Sequence, residues 1–290
     1  MYNSQSKILD AYSPSHVLNE QPLTQEHVNS FHQEGYLILP SFIPSDLLEI
    51  LKKEVDYWVD EGLREQSIEY CLNMRRDKPS LIELELKEHG SLIVYPPLMR
   101  ILSQLIGGKF AFHHLHSTRC IAGCPDKNWH HDYEQYPQTD RRWMMLHVFH
   151  FLDGLNGTIA DLVLLPNSHT IIADKNAYDC FGARSLPGEI VIDNLKPGST
   201  VIIQSSLFHA RRAKPGGEGR PRYLTDCSYC EVGIRWPVVK PYWREMLSCA
   251  KNLGLDREQW PDMFSERHFY DPSLCQTSYK KINQGHCEKS

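Results

Sequence analysis

Residues 126–137 read DKNWHHDYEQYP, in which His130, His131 and Asp132 follow a tryptophan without a break. A polar turn would account for that composition, and so would a metal site. Alternate side chains of an extended chain share one side. His130 and Asp132 can therefore hold one ion together while His131 points away. Three-residue matches of this kind are common, so the motif needs a third ligand from elsewhere in the sequence.

KPGSTVIIQSSLFHARRA, residues 196–213, offers one. Pro197-Gly198 makes a turn, STVIIQ reads as a buried strand, and His209 emerges just after it. Two histidines and a carboxylate on one face of an octahedral ion leave three positions open, an arrangement diagnostic of non-haem Fe(II) oxygenases. A structural zinc would instead close its site with four ligands, usually including thiolates. Arginines follow at once: Arg211 and Arg212, then Arg220 and Arg222 on either side of Pro221. A guanidinium fork binds carboxylate in bidentate fashion, which suits the far end of a dicarboxylate.

These residues must be positioned by a fold. The chain has 290 residues, of which 41% are hydrophobic and 23% charged, enough for a real core. Its net charge of -5 argues against a general nucleic-acid partner, which needs a basic field. No apolar run approaches membrane-spanning length, and the N-terminus has no signal-type apolar region. Nine cysteines at irregular spacing, without such a signal, are expected as reduced thiols in the cytoplasm. Cys227 and Cys230 form the only short pair and read as packing thiols.

Residues 1–22 read as a polar tail and 23–108 as a mainly helical part. Thr24 can cap a helix with His27 at its third position, Val28 and Phe31 on its apolar side and Gly35 at its end. YLILP then reads as a short strand. Leu47, Leu48, Leu51, Val55, Trp58 and Val59 recur at helical spacing, and PPLMRILSQLIG is a further helix stopped by Gly107-Gly108. Residues 109–235 change texture. FAFHHLHSTRCIA, WMMLHVFHFL, DLVLLP, STVIIQS and RYLTDCSYC are strand-like and separated by turn signals. The expected fold is mainly β with flanking helices, a jelly roll in one domain over 1–290. Residues 236–290 form a C-terminal helical extension.

In this order the segments resemble the phytanoyl-CoA dioxygenase family. LTQEHVNSFHQEGYLILPSFIPSDLLEILKKEV is similar to its opening helix, strand and second helix, and NWHHD to its Trp-His-x-Asp. LNGTIADLVLLPNSH, LKPGSTVIIQSSLFHA and RPRYLTDCSY are similar to its later strands. The resemblance spans roughly residues 23–230. It implies a double-stranded β-helix (cupin-like), Fe(II), 2-oxoglutarate as co-substrate, and O2. It also implies oxidation of an unactivated C–H bond with decarboxylation of 2-oxoglutarate to succinate. His130, Asp132 and His209 carry over as the metal ligands and catalytic residues. The 2-oxoglutarate arginine falls at Arg220 by the family's spacing from the distal histidine, and at Arg222 by the start of the last strand. Pro221 makes Arg220 a loop residue, so Arg222 is preferred. Departures are His131 in place of glutamine, Arg211 in place of serine, and Leu146 where a cofactor-side aromatic is expected.

His113, His114 and His116 could suggest a second metal, with His114 and His116 on one strand face and His113 on the other. No carboxylate or cysteine stands at clear spacing from them, so a pocket-lining or structural role is expected. His147, His150 and His169 are expected to make structural hydrogen bonds. Arg119, Arg141, Arg142, Arg211 and Arg212 form either salt-bridged surface or an electropositive mouth; Arg119 and Arg211 are the candidates for a substrate carboxylate. The leading reading is an oxygenase acting on a small, carboxylated metabolite or amino-acid derivative, by hydroxylation, desaturation or oxidative cyclisation. A non-catalytic cupin-like binding protein, an acyl-CoA hydroxylase and a hydrolytic metalloenzyme are the alternatives. No protein partner is evident.

Overall fold

Thr24 opens the first helix of the computed structural model: its hydroxyl accepts from the His27 backbone N–H, and the His27 ring accepts from the Thr24 backbone N–H. Two donors that would otherwise lack partners are thereby satisfied. Helix α1, Gln25–Glu34, ends at Gly35, whose φ of 87° lets the chain turn sharply into strand β1, Tyr36–Leu39. The structure describes residues 22–265, apart from 73–78, 108, 122–123, 135–140, 158–159, 214–220, 234–241, 256–259 and 261. The expected polar tail therefore lies almost wholly outside the described residues, as does Arg220.

Helix α2, Ser45–Asp60, buries Leu48, Leu51, Val55 and Trp58, the stripe that its sequence spacing predicts. Helices α3 (Leu63–Leu72), α4 (Lys87–Leu92) and α5 (Pro96–Ile106) follow. The apolar repeats did not single out α3 and α4. Helix α4 is only six residues long, and its amides find a partner in α2: the Glu54 carboxylate accepts from the backbone N–H groups of Glu88 and His89. Among the described residues no helix is long and apolar enough to cross a membrane.

Ten further strands follow α5 among the described residues. They are β2 (Phe110–Cys120), β3 (Lys127–His130), β4 (Met145–Phe151), β5 (Leu155–Asn156), β6 (Ala160–Leu164), β7 (Ile190–Ile192), β8 (Asn194–Leu195), β9 (Ser199–Gln204), β10 (His209–Ala213) and β11 (Arg222–Glu231). Helix α6, Tyr242–Asn252, comes after them. A five-stranded sheet has the order β1-β9-β4-β11-β2, a four-stranded sheet the order β3-β10-β6-β7, and β5 pairs with β8. All pairings are antiparallel. The expected start of the β region at residue 109 is thus too late, because β1 pairs with β9 and edges the larger sheet.

Two apolar layers hold this arrangement. Between the sheets, Ile38, Phe149, Phe151, Leu162, Leu164, Ile192, Val201 and Ile203 pack together from both sides, which makes the fold a double-stranded β-helix. On the outer face of the larger sheet, Leu146, Val148, Ile202, Cys227 and Tyr229 pack against Leu48, Leu51, Leu98 and Leu102 of the helices. Leu146 therefore faces the helices, and the aromatic rings on the inner face of β4 are those of Phe149 and Phe151.

Gly198 joins the helical layer to the sheet. Its carbonyl accepts from Ile43, its N–H donates to Phe151, and its φ is 75°. A β-carbon there would lie 2.7 Å from the Ile43 carbonyl oxygen. Left-handed backbone alone costs a non-glycine residue about 1–2 kcal/mol. Gly198→Ala should therefore lower unfolding stability by about 2 kcal/mol or more in urea titration, and an unchanged midpoint would contradict this.

Candidate metal centre

His209 begins β10 and His130 ends β3, and the two are register partners on adjoining strands. Each ring is fixed by its own backbone: Nδ1 of His130 lies 2.7 Å from the Asn128 carbonyl, and Nδ1 of His209 lies 3.0 Å from that of Leu207. Donation from Nδ1–H to a carbonyl leaves the Nε2 lone pair as the ligand atom. The ring centroids are 4.2 Å apart. Asp132 has left the strand and is held by its backbone N–H, which donates to the Ser205 carbonyl at 2.7 Å. Its Oδ2 lies 3.2 Å from Nε2 of His209 and 3.8 Å from Nε2 of His130, and Lys175 Nζ approaches Oδ1 at 3.0 Å.

The electrostatics suit a cation. Burial pushes the His130 imidazole down to about 2, and neighbouring His209 adds to the effect, so the ring is neutral. Its buried Nε2 has no hydrogen-bond partner among the described residues. Burial raises the Asp132 carboxyl, but the hydrogen bond and charge of His209, with Lys175, outweigh it and hold the group well below the ordinary carboxylate range. A neutral ring with an unused lone pair beside an ionised carboxylate is the donor set that Fe(II) takes. His131 turns away as its alternation predicts: Nε2 lies 3.0 Å from the Ala173 carbonyl, Nδ1 accepts from Tyr133, and the ring packs edge-on against Phe208.

The arginines separate by face. Arg222 starts β11, opposite Cys120, and is buried with its guanidinium 5.1 Å from the Phe151 ring centroid. Its Nε and Nη1 have no hydrogen-bond partner among the described residues, and burial pushes its pKa down to about 10. Arg211 reaches Cys120 Sγ at 3.5 Å and the Pro125 carbonyl at 2.9 Å, so it stands beside Arg222. Arg212 lies on the opposite face and grips Glu189 through both terminal nitrogens. The substrate role expected of Arg119 is overturned. Its register partner is Tyr223, and both side chains reach out to α2, where Arg119 pairs with Asp56 and Asp60. One residue of alternation along β2 separates that face from the interior.

The interior also carries residues that the sequence did not single out. Phe149 lies 5.9 Å from the His209 ring. Asp226 shares its strand face with Leu224 and Arg222, and its Oδ2 lies 3.4 Å from His114 Nε2. His113 and His114 were expected on opposite faces, but a register shift in the β2–β11 pairing lets both rings reach the Ser228 hydroxyl, at 2.7 and 2.8 Å. The signal that could have found Asp226 is its place in RYLTDCSYC, an acid two and four residues from inward-facing positions of a buried strand.

A family model described as phytanoyl-CoA dioxygenase (PhyH) matches residues 31–220. No curated protein matches the sequence. Among solved structures, HygX from Streptomyces hygroscopicus with iron bound is 14% identical, covers 74% of this chain and 91% of its own, and has a TM-score of 0.55. EctD from S. alaskensis with 2-oxoglutarate and 5-hydroxyectoine is 16% identical, with 79% and 83% covered and a TM-score of 0.56. SnoK, a non-haem alpha-ketoglutarate-dependent carbocyclase from nogalamycin biosynthesis, is 13% identical, with 72% and 84% covered and a TM-score of 0.54.

Acid should destabilise the metal-free chain. In the unfolded state histidine takes a proton near pH 6.5, whereas burial holds His130 at about 2 and His131 and His147 at about 4. The stability that these neutral rings contribute is complete above pH 6.5 and is lost as pH falls below it. Asp226, raised by burial to about 6, has the opposite sign, but only between about 3.8 and 6. Urea unfolding should therefore show a loss of roughly 2–4 kcal/mol per pH unit just below 6.5. A flat profile from pH 7.5 to 6 would contradict the assignment of neutral rings.

Proposed function

Because the chain belongs to the phytanoyl-CoA dioxygenase family of iron- and 2-oxoglutarate-dependent oxygenases, we propose that His130, Asp132 and His209 hold the Fe(II) and that Arg222 binds the far carboxylate of 2-oxoglutarate. The family's cofactors are Fe(II), 2-oxoglutarate and O2. The observation that carries the reading is the pairing of His130 with His209 across β3 and β10, each Nδ1 tied to a carbonyl and each Nε2 turned towards Asp132. Bound there, Fe(II) supplies the redox chemistry that couples decarboxylation of 2-oxoglutarate, to succinate and CO2, with oxidation of an unactivated C–H bond.

The chain's own residues do the positioning. Lys175 and the Ser205 carbonyl fix the Asp132 carboxylate and its backbone. Arg222 offers a buried guanidinium whose Nε and Nη1 have no partner among the described residues, so it has donors left for a carboxylate. Phe151 beneath it and the apolar residues between the sheets exclude water from that end. Arg211, on the same side, adds positive charge near the co-substrate's far end and so takes a different role from the substrate contact that its sequence position suggested.

The substrate is a small, polar metabolite, carboxylated or derived from an amino acid, oxidised by hydroxylation, desaturation or ring closure. A wall of His114, His147, Asp226 and Ser228 supports a polar molecule over a long acyl chain, because the buried Asp226 Oδ1, which has no partner among the described residues, would stay unsatisfied against methylenes.

Two experiments test this reading. His209→Ala should abolish succinate formation from 2-oxoglutarate while far-UV circular dichroism stays that of the parent, and retained turnover would place the metal elsewhere. Arg222→Ala should weaken 2-oxoglutarate binding by about 100-fold, in line with roughly 3 kcal/mol for truncating one partner of a buried charge pair. Arg220→Ala should have a much smaller effect, and the opposite ranking would move the contact to Arg220.

A further inference from the structure

Three residues from three different strands converge beside the first triad. They are His114 of β2, His147 of β4 and Asp226 of β11, and their ligand atoms all lie within 4.8 Å of one another. The geometry points to a second divalent-cation site, formed by His114, His147 and Asp226 on the inner wall of the barrel.

The first triad provides the yardstick. There the carboxylate-to-imidazole distances are 3.2 and 3.8 Å. Here Asp226 Oδ2 lies 3.4 Å from His114 Nε2, between those two values. The donors are again two imidazoles and one carboxylate, a set suited to a first-row transition cation rather than to Mg(II) or Ca(II).

Each ring is also oriented as a ligand is. A metal-binding histidine has its second nitrogen held by a neighbouring group, which sets the ring's direction. Nδ1 of His147 lies 2.7 Å from Ser205 Oγ, and Nδ1 of His114 lies 2.8 Å from Ser228 Oγ. In the tautomer whose Nδ1–H donates to the serine hydroxyl, Nε2 is the ligand atom. Ser205 also supplies the carbonyl that holds Asp132, so one residue braces both triads.

Asp226 supplies the independent observation. Its Oδ1 is buried and has no hydrogen-bond partner among the described residues. A buried carboxylate oxygen left unsatisfied is costly, and a cation held by the Asp226 carboxylate lowers that cost. Three protein ligands leave a coordination sphere to be completed, and an oxygen donor is the class of ligand that completes it.

The proposal is tested by counting metal, and it rests on the proposed function only in its control for the first site, the Fe(II)–2-oxoglutarate absorption. The metal-free protein is titrated with Co(II) under argon, and bound metal is counted by equilibrium dialysis. Co(II) also reports its ligands, since coordination by any of the free thiols gives an intense near-ultraviolet band that nitrogen and oxygen donors do not. The parent protein should bind two equivalents without that band. His114→Gln and Asp226→Asn should each lose one equivalent, and His209→Ala should lose the other. Loss of the second equivalent in either of the first two variants counts as support only where the Fe(II)–2-oxoglutarate absorption of the first site persists. His147→Gln is the substitute where it does not. A single equivalent in the parent, a second equivalent that carries the thiolate band, or a second equivalent retained in His114→Gln and Asp226→Asn would each overturn the proposal.

Discussion

The antiparallel pairing of β10 with β3 is the constraint on which the chemistry of this chain depends. It sets His209 opposite His130, and a slip of one residue would turn either ring out of the barrel. The outer face of the same sheet fixes the register. Trp129, Val163, Phe208 and Ala210 are buried there under Tyr178 and Leu186, and Trp129 donates its indole N–H to the Arg184 carbonyl. Large apolar side chains hidden on one face thus force the histidines next to them in sequence to face the interior. Asp132 completes the triad from outside the strand, so its place is set by a backbone hydrogen bond rather than by the pleat.

The space between the sheets is divided between two kinds of packing. One part is apolar and closely filled, from Ile38 through Phe151 to Ile203. The rest holds polar atoms that are buried without partners among the described residues: His130 Nε2, Arg222 Nε and Nη1, and Asp226 Oδ1. A folded chain satisfies nearly all its buried polar groups, so those that face one another between the sheets are candidates for receiving ligands. The cost of keeping Arg222 dehydrated is carried by the surrounding layers, including the Phe151 ring that its guanidinium covers.

Much of this was legible in the residues. Thr24 with His27, the apolar stripe of α2, and Gly107 after α5 mark helices through local capping and spacing, and the structure places them accordingly. The strands that became β2, β4, β6, β9 and β11 are apolar or alternating and were recognisable as such. Strands β3, β5, β7, β8 and β10 were not, being two to five residues long, and HARRA in β10 has no apolar alternation at all. Arg119 was misplaced for a related reason. Being one residue from an inward position matters only once the strand's face is known, and Asp56 and Asp60, which hold it, lie 63 and 59 residues away.

The sequence by itself determined the donor types, the His-x-Asp motif, the helix caps and the family resemblance, because each is a property of residues close together or of their order. Only the tertiary structure decided which side chains share a cavity. It turned Leu146 towards the helices and Phe149 towards His209, and it brought Ser228 to His114 across 114 residues of chain. It also shifted the β2–β11 register so that His113 and His114 meet the same hydroxyl. The physical reason is that facing and register are set by burial and hydrogen bonding between strands distant in sequence. A period of two tells which residues alternate, but not which of the two faces looks inward.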